Sequence, residues 1–450
     1  MKLFGTDGIR GKAGAPPLDP QTIARIGAAL VRALGPPPTA RPVRVLIGRD
    51  TRESGEWIAD ALLRGLASAG ASAVSAGVLP TPAIAFLTRT DGFDAGIVIS
   101  ASHNPYGDNG IKIFSGRGEK LGDGLESTIE QLVADEAWLV SPGAASQSTE
   151  RDLPGHYIAH LREILRDAGP LSGSRIVIDC ANGATTTIAP ALFRELGFDL
   201  TAMGDAPNGR NINLNCGSTH LEPLTTKVIE RAARLGVAFD GDGDRALFVD
   251  RHGATVDGDA VLLIAAKQLQ REGRLPGSAI VATVMSNIGL ELALRARGIE
   301  LVRAPVGDKY VMEEMLKRGL ALGGEQSGHI IFADHLFTGD GIATALQVLR
   351  IMAATGRELD ELAGELVTYP QVLINVRVRE RADYETIPAI AHVIRNVRQR
   401  LEGDGRLLIR YSGTEPLLRI MLEGKDQDDI RRWADEIAET VEAHLGGPAH

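Results

Sequence analysis

The chain is predicted to be an α/β protein, with three successive α/β domains built on related strand-helix-strand cores and a smaller C-terminal α+β domain. Three observations carry this. A short apolar run, a helical stretch and a second apolar run recur three times, and each set leads into a polar segment containing glycine. Beyond Gly364 the order changes to strand, helix, two strands and a last amphipathic helix. At 450 residues the chain exceeds what one hydrophobic core holds, so three or four domains are expected.

The first unit has a strand at 43–47, a helix at 56–69 and a strand at 73–78, and ends in the buried strand Ile97-Val98-Ile99. The second has a strand at 175–179, a helix at 186–196 and a strand at 199–203, and leads to an acidic turn at 240–244. The third has a strand at 279–284, a helix at 288–296 and a strand at 299–303, and leads to Gly323-Gly324-Glu325-Gln326-Ser327-Gly328-His329. The last domain follows as strand 372–378, helix 387–401, strands 406–411 and 417–422, and a helix from Asp428. Polar or glycine-rich stretches at 141–150 and 251–257 suit junctions, which divides the chain into 1–150, 151–255, 256–367 and 368–450.

Composition narrows the function classes. A net charge of -10 argues against nucleic acid or an anionic membrane as the main partner, so basic residues must be gathered locally if the ligand is a phosphate. The only cysteines, Cys180 and Cys216, have no metal-site spacing and suit a reducing compartment. Neither a leader segment nor an apolar run long enough to span a membrane is seen, and a soluble cytoplasmic protein is expected.

The chemistry begins with Asp240-Gly241-Asp242-Gly243-Asp244-Arg245. Three carboxylates alternating with glycines can converge on one cation, and hard oxygen ligands favour Mg²⁺ or Ca²⁺. A calcium loop of the EF-hand kind is excluded, because its sixth position would be Arg245 and its twelfth Arg251. A plain acidic turn fits poorly between the apolar runs 237–239 and 246–249, where three like charges need a neutralising partner.

Ser100-Ala101-Ser102-His103-Asn104-Pro105 follows the buried strand 97–99, which presents Ser102 at a strand's carboxyl end, where open α/β sheets place their ligands. A serine in a turn often makes only a local hydrogen bond. Here His103, Asn104, Asn109 and Lys112 follow closely and surround one hydroxyl with donors and proton-transfer groups. In Arg410-Tyr411-Ser412-Gly413-Thr414-Glu415-Pro416, with Arg419 beyond, forked cations, hydroxyls and glycine backbone suit an anion, although a glycine hairpin turn reads equally well from these residues alone. Glu325, Ser327 and His329 are either a structural turn or polar groups for sugar hydroxyls.

Taken in order, these four segments resemble the motifs of the α-D-phosphohexomutase superfamily over the whole chain. The opening Phe4-Gly5-Thr6-Asp7-Gly8-Ile9-Arg10-Gly11, Gln326 and Tyr369-Pro370-Gln371-Val372-Leu373-Ile374-Asn375-Val376 are most similar to its bacterial glucosamine-phosphate branch. Tyr411 occupies a variable place in the phosphate loop, and Val306-Gly307-Asp308-Lys309 has Lys where Arg is familiar.

The resemblance implies four domains around a central cleft that opens and closes, and an intramolecular phosphotransferase. Ser102 would be carried as phosphoserine, with its phosphoryl oxygen and Asp240, Asp242 and Asp244 holding one Mg²⁺ per chain and Arg10 and Arg245 assisting. Glucosamine 6-phosphate would place its phosphate on Arg410, Ser412, Gly413, Thr414 and Arg419 and its hydroxyls on Glu325, Ser327 and His329. It would pass through a 1,6-bisphosphate, which also primes the enzyme, to glucosamine 1-phosphate, feeding UDP-N-acetylglucosamine and cell-wall synthesis. For the general base Lys112 comes first on proximity, with His103 and His329 behind it. A homodimer is left open. Three rivals stand beside this reading: a phosphomannomutase or phosphoglucomutase, a metal-dependent phosphatase, and a phosphosugar-binding protein without catalysis.

Overall fold

The structure is a computed structural model describing residues 2–37, 41–140, 147–148, 152–401, 403, 405–412 and 415–447. The chain divides into two compact units, residues 1–285 with 298–365, and residues 286–297 with 366–450.

In the larger unit the first sheet has the order β1-β2-β6-β5-β3-β4-β7. Its strands are β1 (Phe4–Gly5), β2 (Gly8–Lys12), β3 (Arg44–Arg49), β4 (Ser72–Val78), β5 (Ala95–Ile99), β6 (Asp108–Ser115) and β7 (Gln147–Ser148). Helices α1 (Pro20–Leu34), α2 (Gly55–Ser68), α3 (Thr81–Thr90) and α4 (Asp123–Ala134) accompany it. Strand β3 pairs parallel with β4 and β5, whereas β6 returns antiparallel to β5. All five residues of β5 are buried, which is why the sequence shows an unbroken apolar run there. The core beneath this sheet gathers Ile26, Leu30, Ile47, Leu62, Ile97 and Ile113.

The second sheet has the order β12-β11-β10-β8-β9. It is made of β8 (Arg175–Asp179), β9 (Asp199–Met203), β10 (Leu235–Phe239), β11 (Ala246–Asp250) and β12 (Thr255–Val256), with α5 (Leu153–Arg162), α6 (Ala189–Glu195) and α7 (Glu222–Glu230). The third has the order β14-β13-β15-β16, from β13 (Ala279–Thr283), β14 (Glu300–Ala304), β15 (Leu322–Gly324) and β16 (Ile330–Phe332), with α8 (Gly258–Arg271), α10 (Asp308–Arg318), α11 (Gly341–Thr355) and α12 (Leu359–Ala363). The chain between β13 and β14 forms α9 (Ile288–Arg295), which groups with the C-terminal unit.

Each of the three sheets therefore uses one device. A strand with parallel neighbours on the strand-helix-strand side turns back on itself as an antiparallel hairpin, β5–β6, β10–β11 or β15–β16, and the hairpin connection is the chemical loop. The C-terminal unit has a sheet ordered β17-β19-β18 from β17 (Gln371–Arg377), β18 (Arg406–Tyr411) and β19 (Leu417–Glu423), covered by α13 (Pro388–Arg400) and α14 (Gln427–Leu445). Within it, Asn287 at the start of α9 exchanges hydrogen bonds with the Tyr369 backbone, and the buried Glu423 accepts from Ile288 N at 3.0 Å and Arg406 Nε at 2.9 Å.

One expectation changes. The helix expected at 186–196 is a short 3₁₀ turn at Ala184–Thr187 followed by α6, because Pro190 in the first helical turn has no N–H to continue the earlier one. The stretch 251–257 lies between the second sheet's β11 and α8 of the third, and forms a hairpin turn, with Asp250 N donating to Ala254 O at 2.9 Å and Asp257 capping α8. Of the junction at 141–150, residues 147–148 pair with β4, and the rest lie outside the described residues.

Helices α5 and α11 are joined by a buried polar contact with a pH signature. Tyr157 donates to Asp340 Oδ2 at 2.7 Å, while Asp340 Oδ1 caps α11 by accepting from Ala343 N at 2.9 Å. Burial pushes the Asp340 carboxyl up to about 6, so the folded protein keeps a proton that the unfolded chain sheds near pH 4. This contribution is complete below about pH 4 and lost as the pH rises through about 6, a difference of about 3 kcal/mol. Asp340→Asn removes the charge, keeps an acceptor for Ala343 N at the cap of α11, and turns an amide NH2 toward the Tyr157 hydroxyl, which can rotate to accept from it. Its thermal midpoint should fall less than that of the wild type between pH 5 and pH 7.5.

Candidate active site

The loop between β5 and β6 sets Ser102 in the left-handed backbone region, at φ 51°, which is uncommon for a residue with a Cβ and needs its surroundings to hold it. Ser102 is fully buried, and its Oγ donates to Asp240 Oδ2 at 2.5 Å, with His103 Nδ1 at 3.4 Å. The loop between β10 and β11 comes this close because residue 241 is glycine: a Cβ there would lie 2.5 Å from the Ser102 carbonyl oxygen.

Asp240, Asp242 and Asp244 are buried, and one carboxylate oxygen from each lies within 4.8 Å of the others. Asp242 Oδ1 and Asp244 Oδ1 have no hydrogen-bond partner. Burial and the other two aspartates push Asp240 well above the usual carboxylate range. These are hard oxygen donors with unused lone pairs and excess negative charge, and the set fits a divalent cation such as Mg²⁺.

Lys112, on β6, lies among the carboxylates. Its Nζ is 2.8 Å from Asp242 Oδ2, 2.9 Å from Asp244 Oδ2 and 3.2 Å from Asp7 Oδ2. Burial alone would lower its pKa, but the three aspartates outweigh that and hold it well above the ordinary lysine value. Asp242 is also held by α3, whose first residue Thr81 donates both its N–H, to Asp242 O at 2.8 Å, and its hydroxyl, to Asp242 Oδ2 at 2.6 Å.

Arg10, on β2, pairs with Asp7 and reaches Asn104 Oδ1 at 3.4 Å. Arg245 donates its N–H to Asp240 Oδ1 at 3.2 Å, and its side-chain Nε lies 3.8 Å from Asp244 Oδ1. Burial, followed by the charges of Arg245 and Arg10, pushes the His103 imidazole down to about 4, so it is neutral near pH 7. The third loop adjoins the acidic one, since Ala246 N donates to Gly328 O at 3.1 Å. There Glu325 accepts from Gly307 N at 3.1 Å and Ser327 Oγ at 3.3 Å. His329 Nε2 accepts from Gly339 N at 3.1 Å, and its buried Nδ1 has no partner. Gln326 Nε2 donates to Asp257 Oδ2 at 3.0 Å, which ties the loop to the cap of α8. Lys309, the departure from the expected Arg, pairs with Asp123 at 2.7 Å and Glu126 at 2.8 Å.

Arg410, Ser412 and Arg419 belong to the C-terminal unit, where Arg410 on β18 stands directly opposite Arg419 on β19. Like charges at facing positions repel, and Arg410 is lowered by burial and by Arg419. Ser412 Oγ and Glu415 Oε2 each lie 3.5 Å from Arg419 Nη2, and the buried Arg419 Nε has no hydrogen-bond partner among the described residues. Such a pair calls for an anion. Gly413 and Thr414 lie outside the described residues.

Four family models match in order: phosphoglucomutase/phosphomannomutase alpha/beta/alpha domain I over residues 1–139, domain II over 155–253, domain III over 257–369 and the C-terminal domain over 373–440. The phosphoglucosamine mutase of Solibacter usitatus is 50% identical over 448 residues, covering 99% of each chain. The chain belongs to the phosphoglucomutase/phosphomannomutase family. The phosphoglucosamine mutase of Geobacter sp. (strain M21) is 48% identical over 454 residues, covering 100% of this chain and 99% of its own. A phosphoglucomutase/phosphomannomutase family protein of Burkholderia thailandensis has a solved structure with a TM-score of 0.79 and 26% identity, covering 97% of each chain.

Several residues that build the site of this family member were not singled out in the sequence: Asp50, Arg52, Thr81, Asn213 and Lys120, whose Nζ lies 2.6 Å from Asp7 Oδ1 and also pairs with Asp308. Asp50-Thr51-Arg52 does carry a signal, since it follows the buried strand β3 at the end where Ser102 lies, and a charged pair in that place asks for a reason. Thr81 and Asn213 carry none, because their partners are more than a hundred residues away.

The triad geometry sets a binding test. Asp242→Asn removes one charge and keeps the shape, so Mg²⁺ affinity measured by calorimetry should fall on the order of ten-fold or more, and the Mg²⁺-induced rise in thermal midpoint should shrink with it. Undiminished affinity in that variant would remove Asp242 from the cation site.

Proposed function

We propose that this chain is a phosphoglucosamine mutase, interconverting glucosamine 6-phosphate and glucosamine 1-phosphate through a phosphorylated Ser102 and a 1,6-bisphosphate. The observation that carries the reading is Ser102 Oγ hydrogen-bonded to Asp240 within a buried triad of carboxylates, in a chain half-identical along its length to a relative named for that activity. Asp240, Asp242 and Asp244, with the Ser102 phosphoryl group, would hold Mg²⁺, which when bound neutralises charge on the transferring group.

The forward step breaks the bond between Ser102 Oγ and phosphorus and forms one from phosphorus to the sugar's 1-oxygen, while the 1-hydroxyl proton passes to a base. Lys112, as an ammonium among Asp7, Asp242 and Asp244, has no lone pair to receive it. We therefore assign Lys112 to charge balance. His103, neutral and 3.4 Å from Ser102 Oγ, is the nearest imidazole to the transfer; held down to about 4, it can take the proton only in passing and gives it up at once near pH 7. In the return step the 6-phosphoryl group of the bisphosphate moves to Ser102 Oγ, and glucosamine 1-phosphate leaves. Arg10 and Arg245 offset charge near Ser102, Glu325, Ser327 and His329 bind sugar hydroxyls, and Arg410, Ser412 and Arg419 bind the phosphate that is not being transferred. A phosphatase has no use for that last pair, since hydrolysis needs no second phosphate grip. Among the described residues no helix is long and apolar enough to cross a membrane, which accords with a cytoplasmic enzyme.

Three outcomes test the reading. Ser102→Ala should lose turnover by several orders of magnitude and the covalent phosphate seen by intact-mass analysis of the wild type, with an unchanged fold. In parallel assays with equal bisphosphate primer, glucosamine 6-phosphate should exceed glucose and mannose 6-phosphates in kcat/KM, with residual activity on glucose. Higher efficiency with mannose or glucose would reassign the sugar and leave Ser102 in its role. Substituting Arg410 or Arg419 by Ala should raise KM roughly ten- to a hundred-fold, with priming of Ser102 still detectable.

A further inference from the structure

We infer that Arg52 is a positioning residue for the nucleophile: with Asp50 and Ser100 it grips the loop from Ser102 to Asp108 by its backbone and holds Ser102 in the conformation that aims Oγ at Asp240.

Arg52 is fully buried although it touches neither the triad nor the sugar loop. A buried guanidinium is costly unless all five of its N–H groups find acceptors. Here they do. Nε donates to Asp50 Oδ2 at 2.9 Å, Nη1 to the carbonyls of Pro105 and, at 3.1 Å, Asp108, and Nη2 to the carbonyls of Ser102 at 3.0 Å and Asn104 at 2.8 Å. Four of the five acceptors are main-chain oxygens of one loop, so the fork recognises a backbone path and no ligand.

The other side of Ser102 is held by the same ion pair. Asp50 Oδ2 accepts from Ser100 Oγ at 2.6 Å, and Ser100 Oγ accepts from Ser102 N at 2.9 Å. Both backbone polar groups of Ser102 are thereby linked to the Asp50–Arg52 pair, its N–H through Ser100 and its carbonyl directly. From the second sheet's side, Asn213 Nδ2 donates to the carbonyls of Ser102 at 2.9 Å and Asn104 at 3.0 Å. This arrangement accounts for the left-handed backbone at Ser102, which a free loop would leave. A lysine at 52 has three donors on a point charge and no planar fork, so it cannot span four carbonyls.

The inference rests on Ser102 being the phosphorylated residue, and the test separates the two. Arg52→Lys and, as a milder change, Ser100→Ala are compared with the wild type in three measurements. In steady-state mutase assays kcat should fall roughly ten- to a hundred-fold with KM within about two-fold, because the phosphate and hydroxyl contacts are untouched while Oγ loses its aim. Hydrogen exchange at residues 101–108 should quicken roughly ten-fold or more, with β3 and β5 unchanged. Thermal unfolding shows whether each variant is folded under assay conditions, and if Arg52→Lys is not, Ser100→Ala decides. A folded variant with wild-type kcat and wild-type exchange in the loop overturns the inference. A wild type with no covalent phosphate and no mutase turnover overturns the proposed function, and the exchange measurement still tests the grip on the loop.

Discussion

Three carboxylates buried side by side cannot persist without positive charge, and much of the larger unit is arranged to supply it. Lys112 reaches in from the antiparallel strand of the first sheet, Arg245 closes the acidic loop, and the hydroxyl of Ser102 donates to the aspartate that burial would otherwise leave uncompensated. Among the described residues two of these carboxylate oxygens, Asp242 Oδ1 and Asp244 Oδ1, have no hydrogen-bond donor. Unused lone pairs of buried carboxylates suit a cation.

The same constraint explains the architecture. A hairpin connection places several polar side chains at the end of a buried strand, and three sheets each provide one. The first offers the Ser102 hydroxyl, the second the carboxylates and the third Glu325, Ser327 and His329. The first two meet through contacts that tolerate no bulk, as the glycine against the Ser102 carbonyl demonstrates. The C-terminal unit repeats the idea with an antiparallel sheet, where facing arginines repel each other and suit an anion between them.

Much of this was legible in the sequence because it lies in local segments. The alternation of aspartate and glycine, the serine after an apolar strand and the glycine loop with Arg410 all carry their chemistry within a few residues. The strand-helix-strand units were legible for the same reason, since buried parallel strands read as apolar runs. The helix expected at 186–196 broke at Pro190, where the apolar pattern ran on but the backbone could not.

The sequence by itself determined which residue types gather in the chemical loops, because hydroxyl, carboxylate and guanidinium groups have few uses in such spacings. Only the tertiary structure decided their protonation and aim. Lys112 follows Ser102 closely in the chain, yet folding sets it against aspartates more than a hundred residues away, whose charges favour its ammonium form. Arg52 and Asn213, distant in sequence from Ser102, hold its backbone by hydrogen bonds to carbonyls, and a carbonyl leaves no trace in the identity of a residue. Side-chain chemistry is written along the chain, whereas electrostatic fields and backbone contacts depend on distances that exist only once the sheets have packed.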